Sequence, residues 1–247
     1  MPADQEANVP AMKRFHTTRW SLILAARDRG QGGAHEALAA LCETYWYPLY
    51  AFVRSRGHDA ESAQDLVQGF FTRLLERGDL ATVDPGKGKF RSFLMAACSH
   101  YLANQADHDR AKKRGGGRPL ISIDRLKAEG RYGLEPVDLL TAERLFERQW
   151  ALILLEQVLG QLEAEMVRSG KARQFEVLRP VLLGSALRVP YAEVAAALGV
   201  SEQAARASAQ RLRRRYRVLL RGEVARTLDD PSEVDEEILA LFAALGG

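Results

Sequence analysis

The 247-residue sequence contains only two cysteines, Cys42 and Cys98, each within an apolar helical pattern. So few thiols argue against a fold held by disulfides, and we expect both to be buried in a reducing compartment. No apolar run approaches the about 20 residues that a membrane helix needs, and the first residues lack the apolar stretch of a secretion signal. We therefore expect a cytoplasmic protein without membrane insertion.

Residue patterns for catalysis, metal binding or a cofactor are also scarce. Cys98 and His100 would diverge on a predicted helix, and with His108 they lack a fourth metal ligand at suitable spacing. The basic turn at 86–89 lacks the spacing and the Ser/Thr of a phosphate-binding P-loop. The acidic residues have no activating neighbour for general acid–base work. We expect no catalytic residue, no metal and no cofactor, and hence a protein that is not an enzyme.

What the sequence has in abundance is helical periodicity. Val67, Phe70, Phe71, Leu74 and Leu75 recur at i, i+3, i+4, i+7 and i+8, and no convincing strand alternation occurs. This predicts an all-α fold with two helical domains joined by a flexible linker, in which Trp20, Trp46 and Trp150 anchor the core. The predicted parts are a disordered N-terminus (1–11), a first domain (12–112), a linker (113–143), a second domain (144–222) and an acidic C-terminal extension (223–247).

Charge is distributed unevenly near the C-terminus. Seven arginines and no acid lie between Arg206 and Arg221, whereas seven acids face one arginine from Glu223 to the end. A basic helix followed by an acidic segment indicates a polyanion site with a segment of opposite sign beside it. Within that segment, 238–245 predicts a short amphipathic helix, which either masks the arginines or packs on the domain.

Residues 191–204 meet the requirements of a helix-turn-helix. Gly199 can end the first helix with a positive φ, Val200 would plug the turn, and Ser201 is a good N-cap for the second helix. In this motif the second helix contacts base edges with its first residues and phosphates with later cations. The alternative is an ordinary helical hairpin with a solvated arginine face. The candidate DNA contacts are Ser201, Glu202, Gln203, Arg206, Gln210, Arg211, Arg213 and Arg214.

Two segments of the N-terminal half carry a family resemblance. Residues 45–54 (YWYPLYAFVR) and 59–71 (DAESAQDLVQGFF) resemble conserved region 2 of extracytoplasmic-function (ECF) RNA polymerase sigma factors. The helix-turn-helix is similar to region 4 of the same family, and the long linker and acidic extension suggest a subgroup. The resemblance implies a sigma factor that directs core polymerase to promoters and aids strand opening in transcription initiation.

The resemblance also implies partners and sites. Asp65, Leu66, Gln68 and Phe71 would bind the clamp of the largest polymerase subunit, and the second domain would bind the polymerase flap and the −35 element. The segment 90–114 would recognise and open the −10 element. An anti-sigma factor is a candidate partner. The expected −10 contacts are Arg91, Asn104, Asp107, Arg110, Lys112, Lys113 and Arg114.

The sequence departs from the family pattern at two informative positions. Gly69 stands where an acid is frequent, and Ser208 stands where a cation is usual, so the base preference of relatives does not transfer. Two other functions are alternatives. A stand-alone helix-turn-helix regulator would leave the segment 59–71 unexplained, and a nuclease would need a cluster of carboxylates for metal.

Overall fold

A computed structural model describes residues 34–77, 80, 83, 88–111, 125–134, 140–182, 189–228 and 230–246, without the side chains at 34–38, 75, 77, 107–111 and 125–127. Within these ranges there are helices and no strand, which confirms the all-α prediction. None of the described helices is long and apolar enough to cross a membrane. The helices are α1 (Ala34–Ser55), α2 (Ala60–Arg77), α3 (Phe90–Ala111), α4 (Arg125–Tyr132), α5 (Ala142–Arg168), α6 (Ala172–Leu182), α7 (Tyr191–Leu198), α8 (Glu202–Ala225), a 3-10 turn (Pro231–Glu233) and α9 (Val234–Leu245).

An aromatic core gathers around α1. Tyr45 is 1 % exposed, and its ring lies 5.5 Å from that of Phe90 and 6.5 Å from that of Phe146. Trp46 and Trp150 are buried as predicted, whereas Trp20 lies outside the described residues. The predicted stripe of α2 is also confirmed at the four positions whose side chains are described: Val67, Phe70, Phe71 and Leu74.

A second core lies beneath the helix-turn-helix. It contains residues of four helices: Leu159 and Leu162 of α5, Phe175 and Leu178 of α6, Val194 and Ala195 of α7, and Ala205, Ala209 and Leu212 of α8. Alanines at the crossing of α7 and α8 let the two helices approach closely, because they add little side-chain volume.

Two long helices contribute to both cores. The first half of α5 contributes Phe146 and Trp150 to the aromatic core, and its second half contributes Leu162 to the other. Likewise α8 contributes Ala209 to the second core and Leu220 to the first. The predicted division between linker and second domain stays a prediction, but the helix that follows it packs on the first domain.

The region predicted as a flexible linker contains a docked helix. Glu129 of α4 accepts hydrogen bonds from the Tyr50 hydroxyl and from Arg54, at 2.8 and 3.0 Å from the guanidinium nitrogens. The Arg131 guanidinium lies 4.1 Å from the ring centroid of Tyr47. Burial and the bond to Glu129 raise the pKa of Tyr50. Charged and ring contacts hold this short helix against α1. Its sequence therefore needs only a weak apolar pattern.

Candidate polymerase and promoter interface

The turn between α7 and α8 forms as its sequence predicts, with one exception. Gly199 adopts φ 65°, and the Ser201 hydroxyl accepts a 3.2 Å hydrogen bond from the Ala204 amide. Both predictions are confirmed. Val200, however, is 43 % exposed and does not plug the turn. The prediction was wrong because the turn lies at the surface, where the alanines of the two helices already pack against each other.

The outward face of α8 is polar and basic. Gln203, Gln210, Arg211 and Arg214 are exposed and lie opposite the buried stripe of Ala205, Ala209 and Leu212. Ser201 and Glu202 are exposed at the start of the same helix. Arg217 also belongs to this face, although the candidate contacts do not include it. Its spacing of seven residues from Gln210 and three from Arg214 is the sequence signal that places it there.

Two of the candidate arginines, Arg206 and Arg213, are held by the first helix of the motif. The Arg206 guanidinium lies 4.8 Å from the ring centroid of Tyr191, and it pairs with Glu202 at 2.5 Å. Arg213 donates to the Tyr191 hydroxyl at 3.2 Å and to the Val181 carbonyl at 2.9 Å. Tyr191 therefore orients two cations on one flank of α8, and Arg213 contributes to the packing of α6 against it.

On the opposite flank, Arg215 joins α8 to α5. Its guanidinium donates to both carboxylate oxygens of Glu165, at 2.7 and 2.6 Å. The hydrogen bond from Arg215 holds the pKa of Glu165 below its ordinary value. One turn and a half later, Arg221 pairs with Asp235 of α9. The seven arginines thus divide into an outward group of Arg211, Arg214 and Arg217 and a tied group of Arg206, Arg213, Arg215 and Arg221. The tied group contacts residues of other helices, although the side chains of Arg206, Arg215 and Arg221 stay about half exposed.

The candidate polymerase contacts on α2 differ in exposure. Asp65 is exposed, Leu66 and Gln68 are partly buried, and Phe71 is 4 % exposed within the aromatic core. Phe71 therefore supports the helix from beneath and offers no surface to a partner in this conformation. Asp59 precedes the helix and caps its first turn, where its carboxylate accepts hydrogen bonds from the Ser62 amide at 2.8 Å and from the Ser62 hydroxyl at 3.0 Å.

Tyr101 explains the glycine at position 69. A Cβ at Gly69 would lie closer to the Tyr101 hydroxyl oxygen than the 3.0 Å that real Cβ atoms keep. The Arg73 guanidinium in turn lies 5.8 Å from the centroid of the Tyr101 ring. The acid that is frequent in the family at this position has no room while Tyr101 holds this place.

The candidate −10 contacts on α3 are separated by burial. Asn104 is exposed, whereas Arg91 is 5 % exposed. The Nε of Arg91 lies 2.7 Å from Glu147, its Nη2 lies 2.6 Å from Glu237, and its guanidinium lies 4.2 Å from the Trp150 ring centroid. Arg91 is therefore occupied by protein partners in this conformation. The side chains of Asp107 and Arg110, and residues Lys112, Lys113 and Arg114 altogether, lie outside the described part.

Comparison with known proteins bears on both the candidate polymerase contacts and the candidate DNA contacts. Neither the curated proteins nor the solved structures gave a match. The family model described as ECF sigma factor matches residues 24–222, a span that contains α1 to α7 and most of α8. The chain therefore belongs to the ECF sigma factor family.

Proposed function

We propose that this RNA polymerase sigma factor, which acts in transcription initiation, binds core polymerase through the exposed side of α2 and promoter duplex through the outward face of α8. It acts by binding, without catalytic residues of its own. The observation that carries the duplex assignment is the outward group of α8. Three exposed arginines follow Gln203 and Gln210 along the surface opposite the packed stripe.

The chemistry of this face suits duplex DNA. Glutamine amides at the start of a recognition helix can pair with base edges, whereas arginines further along neutralise phosphates. The tied cations Arg206 and Arg213 flank the face, and their partners restrict their rotamers. Because less side-chain freedom is lost on binding, a held arginine contributes more affinity than a mobile one.

The polymerase assignment rests on Asp65 and Gln68 of α2. Asp65 is exposed and Gln68 is partly exposed, with its Nε2 buried, whereas Val67 and Phe70 of the same helix are buried, so a partner can approach α2 only from the side of Asp65. We expect Asp65→Ala combined with Gln68→Ala to weaken binding to core polymerase about tenfold or more, as expected for polar contacts at the centre of an interface. Duplex binding by the same full-length variant should remain unchanged.

A matched control separates this effect from a change in net charge. Glu156→Ala removes an exposed acid from α5, far from α2 in sequence, and should leave polymerase binding intact. The measurement is co-purification with core polymerase, followed by run-off transcription from the upstream region of the chain's own gene. Equal loss of polymerase binding and duplex binding in the double variant would reject the division of labour.

The finer contacts with the −10 element belong to the end of α3 and the residues after it. We propose that Asn104, Asp107 and Arg110, with the basic run 112–114, meet the opened strand. Single-strand recognition combines cations along the backbone with pockets for unstacked bases. The protein would work in the cytoplasm beside the polymerase, and an anti-sigma factor would act by covering the same face of α2.

A further inference from the structure

The C-terminal helix α9 is part of the folded body, although it lies beyond the residues that match the family. Val234, Glu237 and Leu241 are at most 4 % exposed, and both apolar side chains belong to the aromatic core. The buried face differs from the predicted stripe, since Leu239 and Phe242 are 71 % and 51 % exposed. An acidic extension that only masked arginines from solution would not bury a carboxylate in this way.

Glu237 carries a buried charge to the start of α3. Its side chain is 1 % exposed; one carboxylate oxygen lies 2.6 Å from Nη2 of Arg91, and the other pairs with Lys89. A buried carboxylate is strongly unfavourable without cationic partners, so the burial of Glu237 depends on its pairing with Arg91 and Lys89. Two cations at the start of the helix assigned to promoter opening are therefore neutralised by the extension.

The same helix is tied to the elements that carry the helix-turn-helix. Asp235 pairs with Arg221 near the end of α8, and Arg148 of α5 donates a 2.6 Å hydrogen bond to the Leu245 carbonyl. We call the contacts of α9 with α3, α5 and α8 the tail interface. The tail interface thereby joins two units: α1 to α3, which carry the −10 contacts, and α6 to α8, which carry the −35 contacts.

This closed arrangement does not fit a promoter. The −10 and −35 elements are about 25 base pairs apart, which is roughly 85 Å of duplex at about 34 Å per ten base pairs. The helix α5, which runs through both cores, has 27 residues. It is therefore only about 40 Å long at about 1.5 Å per residue. Both elements can be engaged together only if the two units move apart. Because α5 and α8 pack in both cores, such movement must withdraw them from one core, and it also breaks the tail interface.

We propose that α9 is an autoinhibitory segment that keeps the free sigma factor closed, with Glu237 occupying Arg91 and Lys89 until polymerase and promoter phosphates replace it. This inference rests on the proposed function, because it assigns a regulatory partner to the same promoter-facing surface. The tail interface is suited to release, since a cleft of about 320 Å³ remains between α5 and α9, beside Arg91 and Trp150.

The test measures the separation of the two units in the full-length chain. Spin labels are placed on Ala96→Cys of α3 and Glu176→Cys of α6, both exposed positions. The native thiols Cys42 and Cys98 are buried, and burial raises the pKa of each to about 12, so they do not compete for the label. Glu237→Gln is compared with Glu236→Gln, which removes the same charge from an exposed position on the same helix.

We expect one short distance in the unsubstituted chain and in Glu236→Gln. Glu237→Gln, and separately deletion of 230–247, should raise the population with longer distances at least about tenfold, and promoter-dependent transcription at limiting sigma factor should rise with it. Glu237→Gln distances that match those of Glu236→Gln would overturn the proposal. Longer distances without a gain in transcription would also overturn it, because the segment would then not inhibit.

Two further readouts keep the outcomes separable. A deletion variant that loses the helical signal of both units, instead of opening, would overturn the proposal by showing that α9 is needed for folding itself. Failure of the unsubstituted chain to support transcription with core polymerase would reject the proposed function. The distance measurement on the free chain does not depend on polymerase, so it tests the closed state in either case.

Discussion

The contact between Gly69 and Tyr101 yields a prediction whose sign depends on a second residue. Gly69 lies inside α2, where alanine is favoured over glycine by about 1 kcal/mol. The added Cβ would approach the Tyr101 hydroxyl too closely, however, and overpacking of this kind costs about 1–3 kcal/mol. The net expectation for Gly69→Ala is a loss of about 0–2 kcal/mol in the free energy of unfolding.

Removing the hydroxyl should invert that effect. In Tyr101→Phe the nearest remaining ring atom lies 3.5 Å from the added Cβ, an ordinary van der Waals distance. Gly69→Ala should then stabilise the protein by about 1 kcal/mol, because only the helix preference remains. The coupling between the two substitutions is therefore about 1–3 kcal/mol, and the cost of Tyr101→Phe alone cancels in the cycle.

Denaturant unfolding of the four proteins measures this coupling. Gly160→Ala is the matched control, since it also lies inside a helix but nothing is within 4 Å of its added Cβ. That substitution should stabilise the unsubstituted chain and the Tyr101→Phe variant equally. If Gly69→Ala changes the free energy of unfolding by the same amount in these two backgrounds, the steric explanation for the missing acid is refuted.

Three further predictions follow from the described side chains. Arg214→Ala should weaken duplex binding and lower the slope of log affinity against log salt by about 1, whereas Arg215→Ala, already paired within the protein, should leave that slope unchanged. Hydrogen bonds from the Ser62 amide and hydroxyl lower the pKa of Asp59, so its capping contribution is complete above the unfolded value of about 3.9 and is lost as pH falls through the lower folded pKa. Asp59→Asn should therefore flatten the thermal midpoint against pH in that acid range. Tyr191→Phe keeps the ring beneath Arg206 and removes only the hydroxyl that accepts from Arg213, so it should lower duplex affinity less than Tyr191→Leu, which should lower it severalfold; equal affinities for both would contradict the orienting role.

Features that depend on neighbouring residues in the chain were predictable from sequence. The stripe of α2, the positive φ of Gly199 and the Ser201 cap each arise from interactions within about one helical turn. The order of the two recognisable segments was enough to indicate the family. No tertiary information was needed, because helix periodicity and capping are local properties.

Features that depend on distant partners were not predictable. Arg91 reads as a basic residue beside aromatics, yet partners at 147 and 237 bury it. The sequence predicts that Val200 plugs the turn, yet the close crossing of α7 and α8 through their alanines leaves Val200 at the surface. Glu129 lies in a weakly patterned stretch, and only its approach to Tyr50 and Arg54 reveals a docked helix. Periodicity records which face of a helix is apolar, but it does not record which charge will meet that face.

The amino-acid sequence by itself determined that this chain is helical, that it carries a helix-turn-helix with an arginine-rich second helix, and that it resembles ECF sigma factors. Tertiary structure alone decided which of those arginines face outward and which are held by Tyr191, Glu165 or Asp235. It also decided that the acidic extension carries Glu237 into the aromatic body of the protein. The reason is physical. A helix is specified by contacts three or four residues apart, whereas the ion pair between Lys89 and Glu237, which are 148 positions apart, exists only once the chain has packed.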